Sequence, residues 1–179
     1  MTEVFRPLIS IERQIRTELS DRAIGTGCDL RSVSPLIAKA RNYCSRQERC
    51  QQEVRDKLYA WGSHKEEVEQ IISQLIGEGF LNEARFAEHY AVSKSRQKGW
   101  GAKKIEHVLK AKGVSEPCIR LGLKAIDEEE LNDDLKCAIE KKFDRSKETD
   151  PRIKKQKVIQ YFLRKGFSYD EIGKHLPIA

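Results

Sequence analysis

Three glycines constrain this chain more than anything else in it. Gly62, Gly113 and Gly166 stand 51 and 53 residues apart. Eight and four residues before each glycine comes an apolar pair: Val54 and Leu58, Ile105 and Leu109, Val158 and Phe162. Six and ten residues after each comes another: Val68 and Ile72, Ile119 and Leu123, Ile172 and Leu176. A four-residue spacing places each pair on one face of a helix, and glycine is the residue best suited to close a helix in left-handed backbone. The recurrence marks a repeat of roughly fifty residues. A unit of that size cannot bury its apolar face alone, so neighbours must stack. The expected fold is all-α, three tandem three-helix repeats in an elongated, curved stack.

The expected division is 1–33 as an N-terminal arm, then repeats over 34–79, 80–127 and 128–179. In the arm, Leu8, Ile11, Ile15 and Leu19 follow helical spacing and fit a short amphipathic helix. Gly25 to Pro35 reads as a polar connection. Ser34 then suits an N-cap and Pro35 the first turn of the opening helix of repeat 1. Val54, Leu58 and Trp61 mark the second helix, and Val68, Ile71, Ile72 and Leu75 the core side of the third. The acidic run Asp127 to Asp134 reads as a solvated linker or as the charge complement of a neighbouring basic surface. It carries no histidine and is no metal site. Arg145 to Pro151 is a polar connection inside repeat 3.

Charge is distributed unevenly. Between Arg85 and Lys112 lie eight cations and two carboxylates, a net +6, which equals the net charge of the whole 179-residue chain. The pI is near 9.0 and the mean hydropathy −0.65. Such a balance favours an anionic partner. Within this stretch Phe86, Tyr90, Ile105, Val108 and Leu109 face the core by spacing. Arg85, His89 and Arg96 fall on another side of their helix, and Lys103, His107 and Lys110 form an outward stripe on the next. The candidate polyanion contacts are Arg85, Arg96, Lys98, Lys103, Lys104 and Lys110, with Arg152, Lys154 and Lys155 of a second basic cluster behind them. In repeat 1, Arg46, Arg49, Arg55 and Lys57 alternate with Glu48, Glu53 and Asp56, which implies local ion pairs on a solvated face. Gly99-Trp100-Gly101 forms a tight interhelical corner with Trp100 packed across it.

No catalytic constellation is present. The four histidines are scattered, and neither a Gly-x-Ser-x-Gly elbow nor a phosphate loop occurs. Five cysteines without a Cys-x-x-Cys pair imply reduced thiols in a cytoplasmic protein without metal or cofactor. No apolar run approaches membrane-spanning length.

The phrases around the glycines resemble those of the RecX family. Tyr43 to Gly62 is similar to its opening Ser-Arg-x-Glu…Leu…Gly phrase, carried here by Ser45, Arg46 and Glu48. Phe80 to Val114 resembles its Leu-(Asp/Asn)-(Asp/Glu)-x-Arg-(Phe/Tyr)-Ala…Lys-Gly-x-Gly signature. Lys157 to Leu176 resembles its closing Phe-Leu-x-x-(Arg/Lys)-Gly-Phe phrase. The resemblance runs in order from about residue 35 to 176 and leaves the arm outside. It implies tandem three-helix repeats and a non-enzymatic regulator. Its partner would be the RecA recombinase, or the RecA filament on single-stranded DNA, whose ATP hydrolysis, strand exchange and filament extension it restrains. It also implies weak, salt-sensitive DNA binding by a monomer. A different class, a helix-turn-helix-like transcription regulator, finds a superficial match in Gly166 to Leu176. A protein-binding scaffold indifferent to DNA is a third reading.

Overall fold

The computed structural model describes residues 30–176, with side chains from residue 35. The helix expected in the arm over Leu8 to Leu19 lies outside the described residues, as does Cys28. Nine helices and no strand occur among the described residues: α1 (Leu30–Ser45), α2 (Gln51–Ala60), α3 (Lys65–Gly77), α4 (Glu83–Lys98), α5 (Ala102–Ala111), α6 (Glu116–Lys124), α7 (Glu128–Asp144), α8 (Pro151–Arg164) and α9 (Tyr169–Gly173). They group in threes, as the glycine register requires.

The register is borne out residue by residue. Val54, Leu58, Ile105, Leu109, Val158 and Phe162 are all buried, as are Val68, Ile72, Ile119 and Ile172. Leu123 and Leu176 are half-buried against the same cores. Each repeat has its own small core. Ile37, Ala40, Leu58, Ile71 and Leu75 centre the first, Phe86, Ala91, Ile105 and Leu109 the second, and Ile139, Val158, Phe162 and Ile172 the third. The three marker glycines share left-handed φ values of +90°, +75° and +93° immediately beyond α2, α5 and α8. A side chain there would lie against the carbonyl that follows, which is why glycine recurs.

Two expectations about boundaries are corrected. The opening helix starts at Leu30 rather than at a Ser34 cap, and Pro35 lies inside it. Proline removes a single i→i−4 donor there, and the helix continues through it. The acidic run is likewise no linker: Asp127 caps α7 by accepting from the N–H groups of Glu129 and Glu130, and Glu128 to Asp134 form the first two turns. Carboxylates belong at that end because the helix dipole is positive there. The polar connection before α8 is as expected, with Asp150 as its cap and Pro151 in the first turn.

Candidate interaction surface

The basic middle repeat is gripped on both sides by its neighbours. On the side of repeat 1, Arg85 Nε donates to Glu48 Oε1 at 2.5 Å, and Arg85 Nη2 donates to the Gly79 carbonyl at 3.0 Å. Lys112 Nζ donates to Glu53 Oε1 at 2.6 Å. Hydrogen bonding to Glu53, more than the opposing effect of burial, raises the Lys112 pKa above the usual lysine value. Glu48 and Glu53 thus reach across to repeat 2 rather than pairing only within repeat 1. The local pairing expected of them is limited to a 3.8 Å Arg49–Glu53 contact, while Arg55 turns to Glu69 on α3 at 2.8 Å. Cys50, just before α2, is buried in the core of repeat 2. Apart from the turn that links the two repeats, where the Phe80 and Leu81 N–H groups donate to the Leu75 carbonyl, no backbone hydrogen bond crosses this seam among the described residues.

The seam between repeats 2 and 3 is built from backbone. The Gly101 N–H donates to the Lys165 carbonyl at 2.9 Å, and the Lys103 N–H to the Gly166 carbonyl at 3.2 Å. The turn after α8 therefore caps the N-terminus of α5, whose own cap position, Gly101, has no side chain to offer. Approach this close needs glycine on both sides. A Cβ on Gly101 would stand 2.6 Å from the Gly166 carbonyl carbon, and one on Gly166 would stand 2.4 Å from the Lys104 nitrogen. Two ammonium groups complete the seam. Lys104 Nζ reaches the Arg164 carbonyl at 3.3 Å, and Lys165 Nζ the Lys98 carbonyl at 2.9 Å. Both carbonyls end helices, where cations are favoured. Trp100 packs against the core of repeat 2, with Lys104 Nζ 4.6 Å from its ring centre.

Each candidate cation now has a place. Arg85 holds the first seam. Arg96 donates through Nη2 and Nε to Glu130 Oε2 at 2.6 and 3.0 Å, so the acidic start of α7 complements repeat 2. Lys110 is shared between Glu106 at 2.9 Å and Glu116 at 3.1 Å. Lys104 sits in the second seam, and Lys154 Nζ lies 4.3 Å from the Phe143 ring centre. Lys98, Lys103 and Arg152 are exposed and Lys155 half-buried, and their side chains have no ion pair among the described residues. The second seam thus carries Lys98, Lys103, Lys104, Arg164 and Lys165 together, none of them paired with a carboxylate among the described residues. Arg164 and Lys165 went unpredicted; their only signal was the Arg-Lys-Gly run at the third marker glycine.

Among the described residues no group of histidine, cysteine or carboxylate side chains could hold a metal ion, and no helix is long and apolar enough to cross a membrane. Cys44 and Cys50 are buried free thiols, and burial pushes both pKa values up, away from the reactive thiolate.

Comparison with known proteins agrees with this architecture. Models of the first, second and third three-helix domains of RecX match residues 37–75, 82–123 and 128–176. The chain is 34% identical to the regulatory protein RecX of Haemophilus influenzae (strain PittEE) over 135 residues, covering 74% of this chain and 86% of that one. It is 35% identical to the regulatory protein RecX of Clostridium perfringens (strain 13) over 122 residues, covering 67% of this chain. The chain spans little more than half the length of the Clostridium perfringens and Bacillus licheniformis relatives, 57% and 55%. Among solved structures, RecX from Lactobacillus salivarius superposes with a TM-score of 0.70 at 30% identity, covering 79% of this chain and 92% of that one. Another regulatory protein RecX superposes with a TM-score of 0.69 at 26% identity, covering 89% and 85%.

Proposed function

The chain belongs to the RecX family of non-enzymatic regulatory proteins, and from that premise we propose that it binds the RecA recombinase, or its filament on single-stranded DNA, and restrains it. The observation that carries this reading is the match of all three three-helix domains, in order along the chain. Restraint here means fewer productive RecA cycles: less ATP hydrolysis, less strand exchange and less filament extension. It needs no chemistry from this chain, only contact along an assembly whose DNA and protein surfaces carry charge. Three stacked repeats offer such contact at several points, so that modest individual affinities combine.

Partner contact falls to cations that the fold leaves unspent. Arg85, Arg96 and Lys110 are engaged with carboxylates, and Lys104 with Trp100 and the Arg164 carbonyl. Lys98 and Lys103, beside the glycine corner, and Arg152 and Lys155, on α8, remain. These four carry the filament contact. Contacts of this kind supply affinity and salt sensitivity without sequence preference. The five-residue α9 within Gly166 to Leu176 is too short for a recognition helix in the major groove.

The test is RecA ATP hydrolysis on single-stranded DNA, titrated with this protein. The wild-type chain should inhibit. The variant Lys98→Ala, Lys103→Ala, Arg152→Ala, Lys155→Ala should keep its helical content and need about tenfold more protein for the same inhibition. No inhibition by the wild-type chain would dispose of the RecA reading; full inhibition by the variant would dispose of the surface.

A further inference from the structure

Repeat 3 carries a groove that the stacking of the repeats leaves unused. It runs between the end of α7 and one face of α8, and has a volume of about 550 Å³. From α7 and the turn after it come Lys142, Arg145 and Ser146. From α8 come Ile153, Gln156, Lys157, Gln160, Tyr161 and Arg164, successive positions on one helix face by their spacing. Four of the lining residues are cations, and no carboxylate lines the groove. Lys142, Arg145 and Arg164 are exposed and have no ion pair among the described residues; Lys157 alone is paired, with Glu148 of the connection between α7 and α8.

We infer that this groove binds the phosphodiester backbone of a single-stranded nucleic acid. Charge complementarity selects a polyanion, because one sign of charge surrounds a concave surface and focuses the field there. The lining argues against an acidic peptide. Its exposed aliphatic surface is confined to Ile153, since Val158 is buried in the core, and a docked peptide helix needs several apolar anchors. Phosphates need only the cations. Gln156 and Gln160, one turn apart, add neutral hydrogen-bonding groups between them.

Base identity is not read. Tyr161 is the groove's sole aromatic lining residue. Its ring already has Lys142 Nζ at 4.5 Å from the centre and Lys165 Nζ at 5.4 Å, and Phe162 edge-on. A ring so surrounded offers no open face for a nucleobase. Arg164 also belongs to the second seam, where its carbonyl receives Lys104, so the positive surface passes from the glycine corner of repeat 2 into repeat 3. The inference rests on the proposed filament contact only for the source of the strand.

The experiment therefore uses the full chain and a fluorescein-labelled oligodeoxythymidylate, without RecA. Binding is followed by anisotropy between about 50 and 200 mM salt. Each phosphate contact on a single strand contributes about 0.7 to the slope of log affinity against log salt. The variant Lys142→Gln, Arg145→Gln, Arg164→Gln should lower that slope by about 2 and weaken binding at low salt by at least about tenfold. Arg145→Gln alone, at an exposed helix end, should lower it by about 0.7. The charge-keeping variant Lys142→Arg, Arg145→Lys, Arg164→Lys should retain the wild-type slope. An unchanged slope in the triple glutamine variant overturns the inference. So does an aspartate-rich peptide that binds the groove and is not displaced by the oligonucleotide. RecA inhibition, measured separately, then bears on the filament reading alone.

Discussion

The two seams of this molecule use the same positions with different chemistry. Counted back from the marker glycines, Cys50 and Glu53 of repeat 1 hold the places of Gly101 and Lys104 of repeat 2, and Lys112 holds the place of Lys165. In the first seam the cap residue is a cysteine whose side chain enters the next core. Beside it Lys112 donates to Glu53 from the neighbouring repeat. In the second seam the cap residue is a glycine, the backbones touch, and carbonyls of the turn after α8 accept from N–H groups at the start of α5. The two seams thus differ at the cap residue, a cysteine against a glycine, while the order of helices is the same. A side-chain seam tolerates adjustment, because long side chains can repack. A backbone seam admits almost none.

The sharpest break of that comparison is a methyl group. Gly166→Ala places a Cβ 2.4 Å from the Lys104 backbone nitrogen at a φ of +93°. Left-handed strain of about 1–2 kcal/mol and overpacking of about 1–3 kcal/mol both apply. A loss of about 3 kcal/mol in urea unfolding is expected. Gly101→Ala, at an ordinary φ of −79°, isolates the overpacking, for which about 2 kcal/mol is expected. Gly113→Ala supplies the control from the first seam. Its φ is +75°, but apart from its chain neighbours nothing lies within 4 Å of its Cβ position, so about 1 kcal/mol is expected. Equal losses at Gly113 and Gly166 would mean that the seams do not differ in closeness.

Next in size is the first seam's own ion pair. Glu53 and Lys112 are 29% and 27% exposed, enough burial for a stranded partner to matter. Glu53→Ala or Lys112→Ala should cost about 1–2 kcal/mol each, and a double-mutant cycle should return a coupling of about 1 kcal/mol. A coupling near zero would leave Cys50 and its apolar neighbours as the whole of that seam.

These seams also mark where the sequence stops being legible. The helices were readable because their signals are local: apolar residues four apart and a glycine that must adopt positive φ. The buried pairs flanking each marker glycine follow from that alone, whereas Leu135 and Ile139 of the third core and Cys50 of the second do not. The partners across the seams are not local. Glu48 and Arg85 are 37 residues apart, and Glu53 and Lys112 are 59. Read along the helix, Glu48 and Glu53 look like companions of Arg46 and Arg49. Gly62, Gly113 and Gly166 also look alike as helix stops, and only the fold shows that one of them touches a neighbour. The charge excess of the middle repeat was visible, but not its destination. Arg85 and Lys112 spend it on repeat 1, Arg96 on repeat 3 and Lys110 on Glu106 and Glu116. Lys98 and Lys103 are what remains beside the corner. Pro35 misled for a related reason, since a preference for first turns does not forbid a place further in.

A smaller effect separates the seams by pH. The Lys112 ammonium has a raised pKa in the folded chain because it is hydrogen-bonded to Glu53. Its contribution is therefore complete below the ordinary lysine pKa of about 10.4 and is lost as pH rises through the higher folded value. Stability measured across that alkaline window should fall in the wild-type chain. It should fall less in Lys112→Arg, whose guanidinium keeps its proton there. The second seam has no equivalent titration in its Gly101–Lys165 and Lys103–Gly166 backbone bonds. An alkaline loss of the same size in Lys112→Arg would place its origin outside the first seam.

The smallest effect expected is at Arg96. It joins α4 of repeat 2 to α7 of repeat 3 away from the glycine contact, through a pair whose side chains are 57% and 44% exposed. Water and salt screen such a pair, and ordering two long side chains offsets most of its attraction. Arg96→Ala should leave the unfolding midpoint unchanged at physiological salt, and should do so equally in a Glu130→Ala background. A measurable loss would mean that repeats 2 and 3 depend on side-chain electrostatics as well as on backbone contact, and the contrast between the seams would then be one of degree. No loss leaves repeat 3 held to repeat 2 by the glycine contact, its two ammonium groups and Leu131 of α7, which packs against both cores. On that outcome, the carboxylates at the start of α7 serve their own helix dipole first and the neighbouring repeat second.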